Sequence, residues 1–187
     1  MKKMNDNMLV GIDTIMVDLD GTFIKKDSSY GIWQRLAKHD ICAFLKSIFI
    51  YLAHAEARAK EYLQLHKNLG CVHRVNEQLL QYLIEQKGKK KLVLATGANI
   101  GVAQEINDEY QLFDYLIASD GENNCIGVNK LKKIQGYCAK FMYIGDHWYD
   151  CPIWFEADAI GVVNPSVTLL DLLQKHSKEH GKQLIVF

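Results

Sequence analysis

Two carboxylates stand two residues apart in Asp18-Leu19-Asp20-Gly21-Thr22, at the end of an apolar, β-branched run that begins at Ile12. Three more polar groups follow in order: Thr96-Gly97 behind the run Lys91 to Ala95, then Lys130, then Gly145-Asp146 with Asp150 behind Phe141 to Ile144. Gathered in one place, the four carboxylates would repel one another, and a cation resolves the repulsion. Mg²⁺ suits such an oxygen set, because it needs few protein carboxylates and leaves positions open for phosphate oxygens and water. Phosphoryl transfer requires an in-line nucleophile, charge neutralisation around phosphorus and a proton for the leaving group. An aspartate can be the nucleophile, and a carboxyl two residues on can act as acid and then as base. A threonine hydroxyl and the amides of a glycine turn can hold phosphate. A lysine can offset charge that builds in the transition state.

The elements must bring these groups together. Short apolar runs end at three of the polar groups, Lys130 stands at a helix start, and helical periodicity lies between the runs, as in Ile100 to Tyr110 and Asn129 to Cys138. Further strands are read at Tyr115 to Ala118, Ile160 to Val163 and Leu184 to Val186, the last at an edge. Short helices are read at Cys151 to Ala157, with Pro152 in the first turn, and at Leu169 to His176. Strands with no wet face, alternating with helices, predict a parallel sheet covered on both sides. The fold class is therefore α/β, a Rossmann-like three-layer sheet, in which ligands bind at the carboxyl ends of the strands. From Ser29 to Gln86 the pattern is helical almost throughout, with Gly70 as a break, which is too long for an ordinary crossover. This predicts a core over 1–25 and 71–187 with a small helical cap inserted at 26–70.

The four groups, in this order, resemble the motifs of the haloacid dehalogenase-like superfamily, over roughly Ile12 to Ser166. The resemblance implies a phosphatase with Asp18 as nucleophile and metal ligand. It makes Asp20 the general acid/base, with its backbone carbonyl on Mg²⁺. It implies that Thr96 binds the phosphoryl group beside the amides of Gly21 and Gly97. Lys130 would steady nucleophile and phosphate, Asp146 would hold the metal, and Asp150 would support the metal's waters or orient Lys130. Asp20 points away from dehalogenation, which needs no such acid. Thr96 and Lys130 are 33 residues apart in the intervening chain, too few for an added domain. The cap then lies upstream, an architecture similar to that of phosphoserine phosphatase. Ser119-Asp120-Gly121, Gly145 to Trp154 and Val163-Asn164-Pro165-Ser166 also resemble the haloacid dehalogenase-like domain fused to some membrane prenyltransferases. Gly97-Ala98-Asn99 after Thr96, and His147 after Asp146, depart from the commoner pattern.

Plainer roles stand beside these. Asp-Gly is a common turn, Thr96 can cap a helix, and Asp150 can cap the helix entered at Pro152. Lys132 and Lys133 compete with Lys130. Asn99 and Asp120 are candidates to support the site, and Tyr30, Trp33 and Trp148 to line it. His147 reads as a surface or supporting residue rather than a ligand. A phosphotransferase, or a binding module that retains the fold, would carry the same residues as a phosphatase.

Composition bounds the partners. Basic and acidic residues number 22 each, so the basic excess of a nucleic-acid binder is missing. A small phosphoester is the partner that the resemblance implies. Five cysteines, an odd number with no C-x-x-C pair, read as free thiols of a reducing, cytoplasmic setting. The polar start from Met1 to Asn7 reads as no signal peptide. The stretch Ile41 to Ala53 is apolar but contains Lys46 and is short of the ~20 residues that span a bilayer. It is read as an amphipathic helix that covers a core or a partner, with a membrane surface or membrane enzyme as the sharper alternative. Oligomeric state is not specified by any of these features.

Overall fold

The computed structural model describes residues 11–53, 55–66 and 74–187. Six strands form one sheet: β1 (Thr14–Val17), β2 (Lys91–Asn99), β3 (Tyr115–Ser119), β4 (Met142–Gly145), β5 (Ala159–Val162) and β6 (Gln183–Val186). Their spatial order is β3-β2-β1-β4-β5-β6, and every adjacent pair is parallel. The order reverses between β1 and β4, and such a switch point opens a crevice at the carboxyl ends of the strands.

Both faces of the strands are buried because successive side chains alternate between two cores. Ile15, Val17, Leu92, Leu94, Met142 and Ile144 enter one core. Met16, Val93, Ala95, Phe141 and Tyr143 enter the other, with Ile153, Trp154 and Leu169 from the covering helices. Those helices include α4 (Glu77–Gln86), α5 (Ile100–Tyr110), α6 (Val128–Tyr137), α7 (Cys151–Glu156) and α8 (Val167–His180). Their starts follow side-chain caps where the sequence supplies them: Asn76 accepts from Leu79 N–H, Asn99 from Gly101 N–H and Ser166 from Leu169 N–H.

Between β1 and β2 lie α1 (Ser28–His39), α2 (Ile41–Leu52) and α3 (Glu56–Gln64). Asp27 caps α1, and Asp40 caps α2. These helices share a small core of Ile32, Leu36, Ala43 and Leu63. Helix α2 is turned inside out relative to a simple amphipathic helix. It buries Ala43 and Ser47 and exposes Ile41, Leu45, Phe49 and Leu52. The close helix–helix approach selects its small residues for the inner face. Among the described residues no helix is long and apolar enough to cross a membrane. Gly70, and with it the proposed boundary between cap and core, lies outside the described residues.

Two expectations are revised. Strand β2 runs four residues past Ala95 to Asn99, so Thr96 and Gly97 lie within the strand rather than behind it. The register with β3 shifts between Ala95 and Asn99, and Thr96 Oγ1 accepts from Ala98 N–H at 2.9 Å, which holds the irregular stretch extended. Helix α8 also begins two residues earlier than Leu169, set by its Ser166 cap, and continues to His180. The described cysteines, Cys42, Cys125, Cys138 and Cys151, are free thiols.

Candidate active site

Asp18 follows β1 directly, with its N–H donating to Ile144 O of β4 at 2.9 Å. The chain then turns back tightly: Phe23 N–H returns to Asp18 O and Ile24 N–H to Leu19 O. Leu19, Phe23 and Ile24 are buried, so the turn is anchored from below by apolar packing. Gly21 has φ of 77°, where a side chain is strained, and a Cβ there would overlap the Asp146 carboxylate. The loop after β1 can therefore lie against the loop after β4 only with glycine at this position.

The Lys130 ammonium on α6 organises the floor of the crevice. It donates to Asp18 Oδ1 at 2.8 Å, to Tyr143 OH at 2.9 Å and to Asp150 Oδ1 at 3.4 Å. Tyr143 OH in turn donates to Asp150 Oδ1 at 2.6 Å. Carboxylate oxygens of Asp18, Asp146 and Asp150 all lie within 4.8 Å of one another. Thr22 Oγ1 donates to Asp146 Oδ1 at 3.1 Å and fixes that carboxylate. Asp150 also accepts from His147 N–H, which closes a capping box over the short 3₁₀ turn Trp148–Asp150. It makes no side-chain cap to α7, so the capping role read for it belongs to the preceding turn.

Asp20 faces elsewhere. Its carboxylate accepts from Ser28 N–H at 2.7 Å and Ser28 Oγ at 3.3 Å, at the start of α1. Its side chain is thus outside the Asp18–Asp146–Asp150 group yet lines the same cavity, of about 760 Å³.

Charge is concentrated here. Burial raises the Asp18 carboxyl to about 7 against the pull of Lys130. Burial, then Asp27, raises Asp20 to about 6. Burial, then Asp150, raises Asp146. Lys130 loses hydration on burial, but Asp18 and Asp150 more than compensate and hold its pKa above the lysine norm. A set of carboxylates pushed upward in this way is short of positive charge. Its donors are all oxygen, with Asp18 and Asp146 the least encumbered, which fits a hard dication such as Mg²⁺.

Thr96 and Gly97 also line the cavity, at the end of β2. Asn99 does not; it is buried as the cap of α5. Asp120 closes an exposed turn by accepting from Glu122 N–H and Asn123 N–H. Lys133 donates to Ala118 O at 3.0 Å and is not among the residues that line the cavity. Tyr30 and Trp33 line the cavity, whereas Trp148 does not. Trp154 is core, with Nε1 donating to Gly161 O.

Two participants escaped the sequence reading. Tyr143 sits in an otherwise apolar buried strand, and a buried tyrosine hydroxyl needs a partner, which is a usable signal. Lys60 of α3 reaches the floor from above, donating to Gly97 O at 2.6 Å and Asn124 Oδ1 at 2.7 Å. Nothing in the charged pattern of α3 distinguishes it.

No protein-family model matches the chain, and no curated protein matches it. Solved structures do. A haloacid dehalogenase-like hydrolase from Streptococcus pneumoniae aligns with TM-score 0.55 at 13% identity, over 94% of this chain and 93% of its own. A phosphoserine phosphatase with substrate bound aligns with TM-score 0.55 at 14% identity, over 93% and 92%. A protein of unknown function from Bordetella pertussis aligns with TM-score 0.66 at 16% identity, over 93% and 98%. With six parallel strands in this order, the chain has the haloacid dehalogenase-like fold.

Proposed function

We propose that the chain is a Mg²⁺-dependent phosphomonoester hydrolase that works through an aspartyl-phosphate on Asp18. One observation carries this reading. The Asp18 carboxylate stands at the switch point, bound by Lys130 at 2.8 Å and grouped with Asp146 and Asp150, while Asp20 is held apart by Ser28. This supports reading one carboxylate as the nucleophile and the second, free of the metal-binding group, as the acid and base.

Asp18 and Asp146 would hold the dication, with the Asp20 backbone carbonyl as a further ligand, and Asp150 would orient Lys130. When bound, the dication offsets charge shared by the carboxylates and the phosphate oxygens. Asp18 attacks phosphorus in line, and the bond from phosphorus to the ester oxygen breaks. Asp20, whose carboxyl is raised to about 6 and so exists in both forms near neutrality, gives its proton to the departing oxygen. A water then loses a proton to the Asp20 carboxylate and attacks phosphorus, breaking the bond to Asp18 and freeing phosphate. Lys130 offsets negative charge throughout, and Thr96 with the Gly21 and Gly97 amides holds the remaining phosphate oxygens.

The test is phosphate release from a panel of phosphomonoesters, with Mg²⁺ or EDTA. Asp18→Asn is expected to lower turnover by at least about 10³-fold, and Asp20→Asn by about 10²–10⁴-fold. Turnover that survives EDTA, or that Asp18→Asn leaves intact, would overturn the mechanism.

A further inference from the structure

The cavity has two chemically different halves. Its floor, at the strand ends, carries Asp18, Asp146, Asp150, Lys130 and Thr96. Its upper half is supplied largely by α1, α2 and α3: Trp33 from α1, Tyr51 from α2, Ala59 and Leu63 from α3, with the charged Asp27, the cap of α1, and Glu56 and Lys60 of α3 beside them. Trp33 and Tyr51 meet edge to face, with ring centroids 5.7 Å apart. Tyr30, Tyr51 and Tyr149 line the cavity and are also exposed, so they mark its mouth. A phosphate seated on the floor would direct its ester substituent into this aromatic and aliphatic half.

The charges around the cavity decide what else that substituent can carry. Among the described residues six carboxylates line it (Asp18, Asp20, Asp27, Glu56, Asp146 and Asp150) against two lysines, Lys60 and Lys130, and one histidine, His147. Both lysines already face carboxylates of the cavity. Lys130 is held by Asp18, Asp150 and Tyr143. Lys60 is held by Gly97 O and Asn124 Oδ1, in the field of Glu56, Asp20 and Asp27. A carboxylate on the leaving group would enter a site where, among the described residues, carboxylates outnumber lysines, and would lose its hydration there.

Resting on the phosphatase reading above, we infer that the substrate is the phosphomonoester of an uncharged, apolar alcohol, whose body occupies the pocket formed by Trp33, Tyr51 and Leu63. This separates the chain from enzymes whose leaving group is an amino acid or another acid. Apolar contact also provides the binding energy that a long leaving group supplies at a distance from the reacting phosphorus.

The experiment has a kinetic and a binding arm, so the two readings fail separately. In the first, kcat/KM is measured with Mg²⁺ for methyl, butyl and octyl phosphate, phosphocholine and O-phosphoserine. It is expected to rise about threefold per added methylene while the chain stays within the cavity. Octyl phosphate should exceed O-phosphoserine by more than about 100-fold, the scale expected when a charged group loses its hydration in such a site. Trp33→Ala should shrink the octyl-to-methyl ratio by about tenfold. In the second arm, Mg²⁺-loaded protein is titrated calorimetrically with octylphosphonate and with the phosphonate analogue of phosphoserine, which reads preference without turnover. If no ester is hydrolysed but octylphosphonate binds better, the phosphatase reading falls and the apolar pocket stands. Preference for the acidic ligand in either arm, no dependence on chain length, or no binding of octylphosphonate would overturn the inference. Phosphocholine favoured tenfold over octyl phosphate would overturn the uncharged assignment.

Discussion

At the scale of single residues, the site depends on one hydroxyl as much as on its acids. Tyr143 OH lies between the Lys130 ammonium and the Asp150 carboxylate, at 2.9 Å and 2.6 Å. It is buried, and burial, then Asp150, keeps its phenol protonated well above the ordinary range. It therefore serves as a fixed donor to Asp150 and leaves Lys130 directed at Asp18. Tyr143→Phe leaves the ring and removes the bridge, so Asp150 and Lys130 each lose a partner in a buried site. The expected result is a kcat lower by about 10–100-fold, as for other supports of metal-site groups. A stability loss of about 1–3 kcal/mol should accompany it. Steady-state kinetics and thermal melts measure the two together, and a wild-type kcat would remove the positioning role. The acids themselves are legible in sequence because Asp18-Leu-Asp20-Gly21-Thr22 is local. That Asp20 turns to Ser28 while Asp18 turns to Lys130 is not, because those partners lie eight and 112 residues away.

At the scale of elements, α3 is tied to the sheet by polar contacts. Lys60 bonds Gly97 O at the end of β2 and Asn124 Oδ1 in the β3–α6 loop, and Asn124 Nδ2 bonds Glu56 of the same helix. Gly97 also needs its small size, since a Cβ would meet Ile126 at 2.9 Å. Lys60→Met keeps most of the aliphatic stem and removes both hydrogen bonds. The three inserted helices should then separate from the sheet more readily. Cleavage by chymotrypsin within α2, at Phe49 or Tyr51, is expected to quicken about tenfold or more, from the ~1.5–3 kcal/mol of a hydrogen bond to a charged group. Equal cleavage of both proteins would show that these bonds do not hold the helices down. Helical periodicity announces α1, α2 and α3, but not that α2 presents Ile41, Leu45, Phe49 and Leu52 outward. That choice is made where Ala43 and Ser47 meet neighbouring helices.

At the scale of the whole molecule, the fold bears the cost of assembling this acidic centre. The folded carboxyl of Asp20 is raised to about 6 from an ordinary 3.8, mainly by burial. The folded protein therefore binds more protons than the unfolded chain between these values, and stability falls with rising pH. The contribution is fully present below pH 3.8 and is lost as pH rises through about 6. In EDTA, Asp20→Asn should gain on the wild type in melting temperature from pH 4 to about 6, after which the difference levels. Parallel melting curves across that range would contradict the shift. The sheet tolerates such a centre because it supplies two fully buried cores on either face, and the acids are confined to its carboxyl edge.

By itself, the sequence determined the strands, most helices, the polar groups that close three of the apolar runs and Lys130 at a helix start, because alternation, caps and turns are local properties of the chain. Helix α5 occupies the span Ile100–Tyr110 read from periodicity, and the other described strands begin or end within two residues of their expected limits. Lengthening of β2 through Thr96 and Gly97 was hidden, since it rests on pairing with β3 and on a side-chain bond to Ala98 N–H. Only the tertiary structure decided the strand order, the hydrogen bonds of Lys130, Tyr143 and Lys60, and the joining of strand-end groups with Trp33 and Tyr51 in one cavity. Each of these arises where segments far apart in the chain meet, and periodicity carries no information about which distant side chains will face one another.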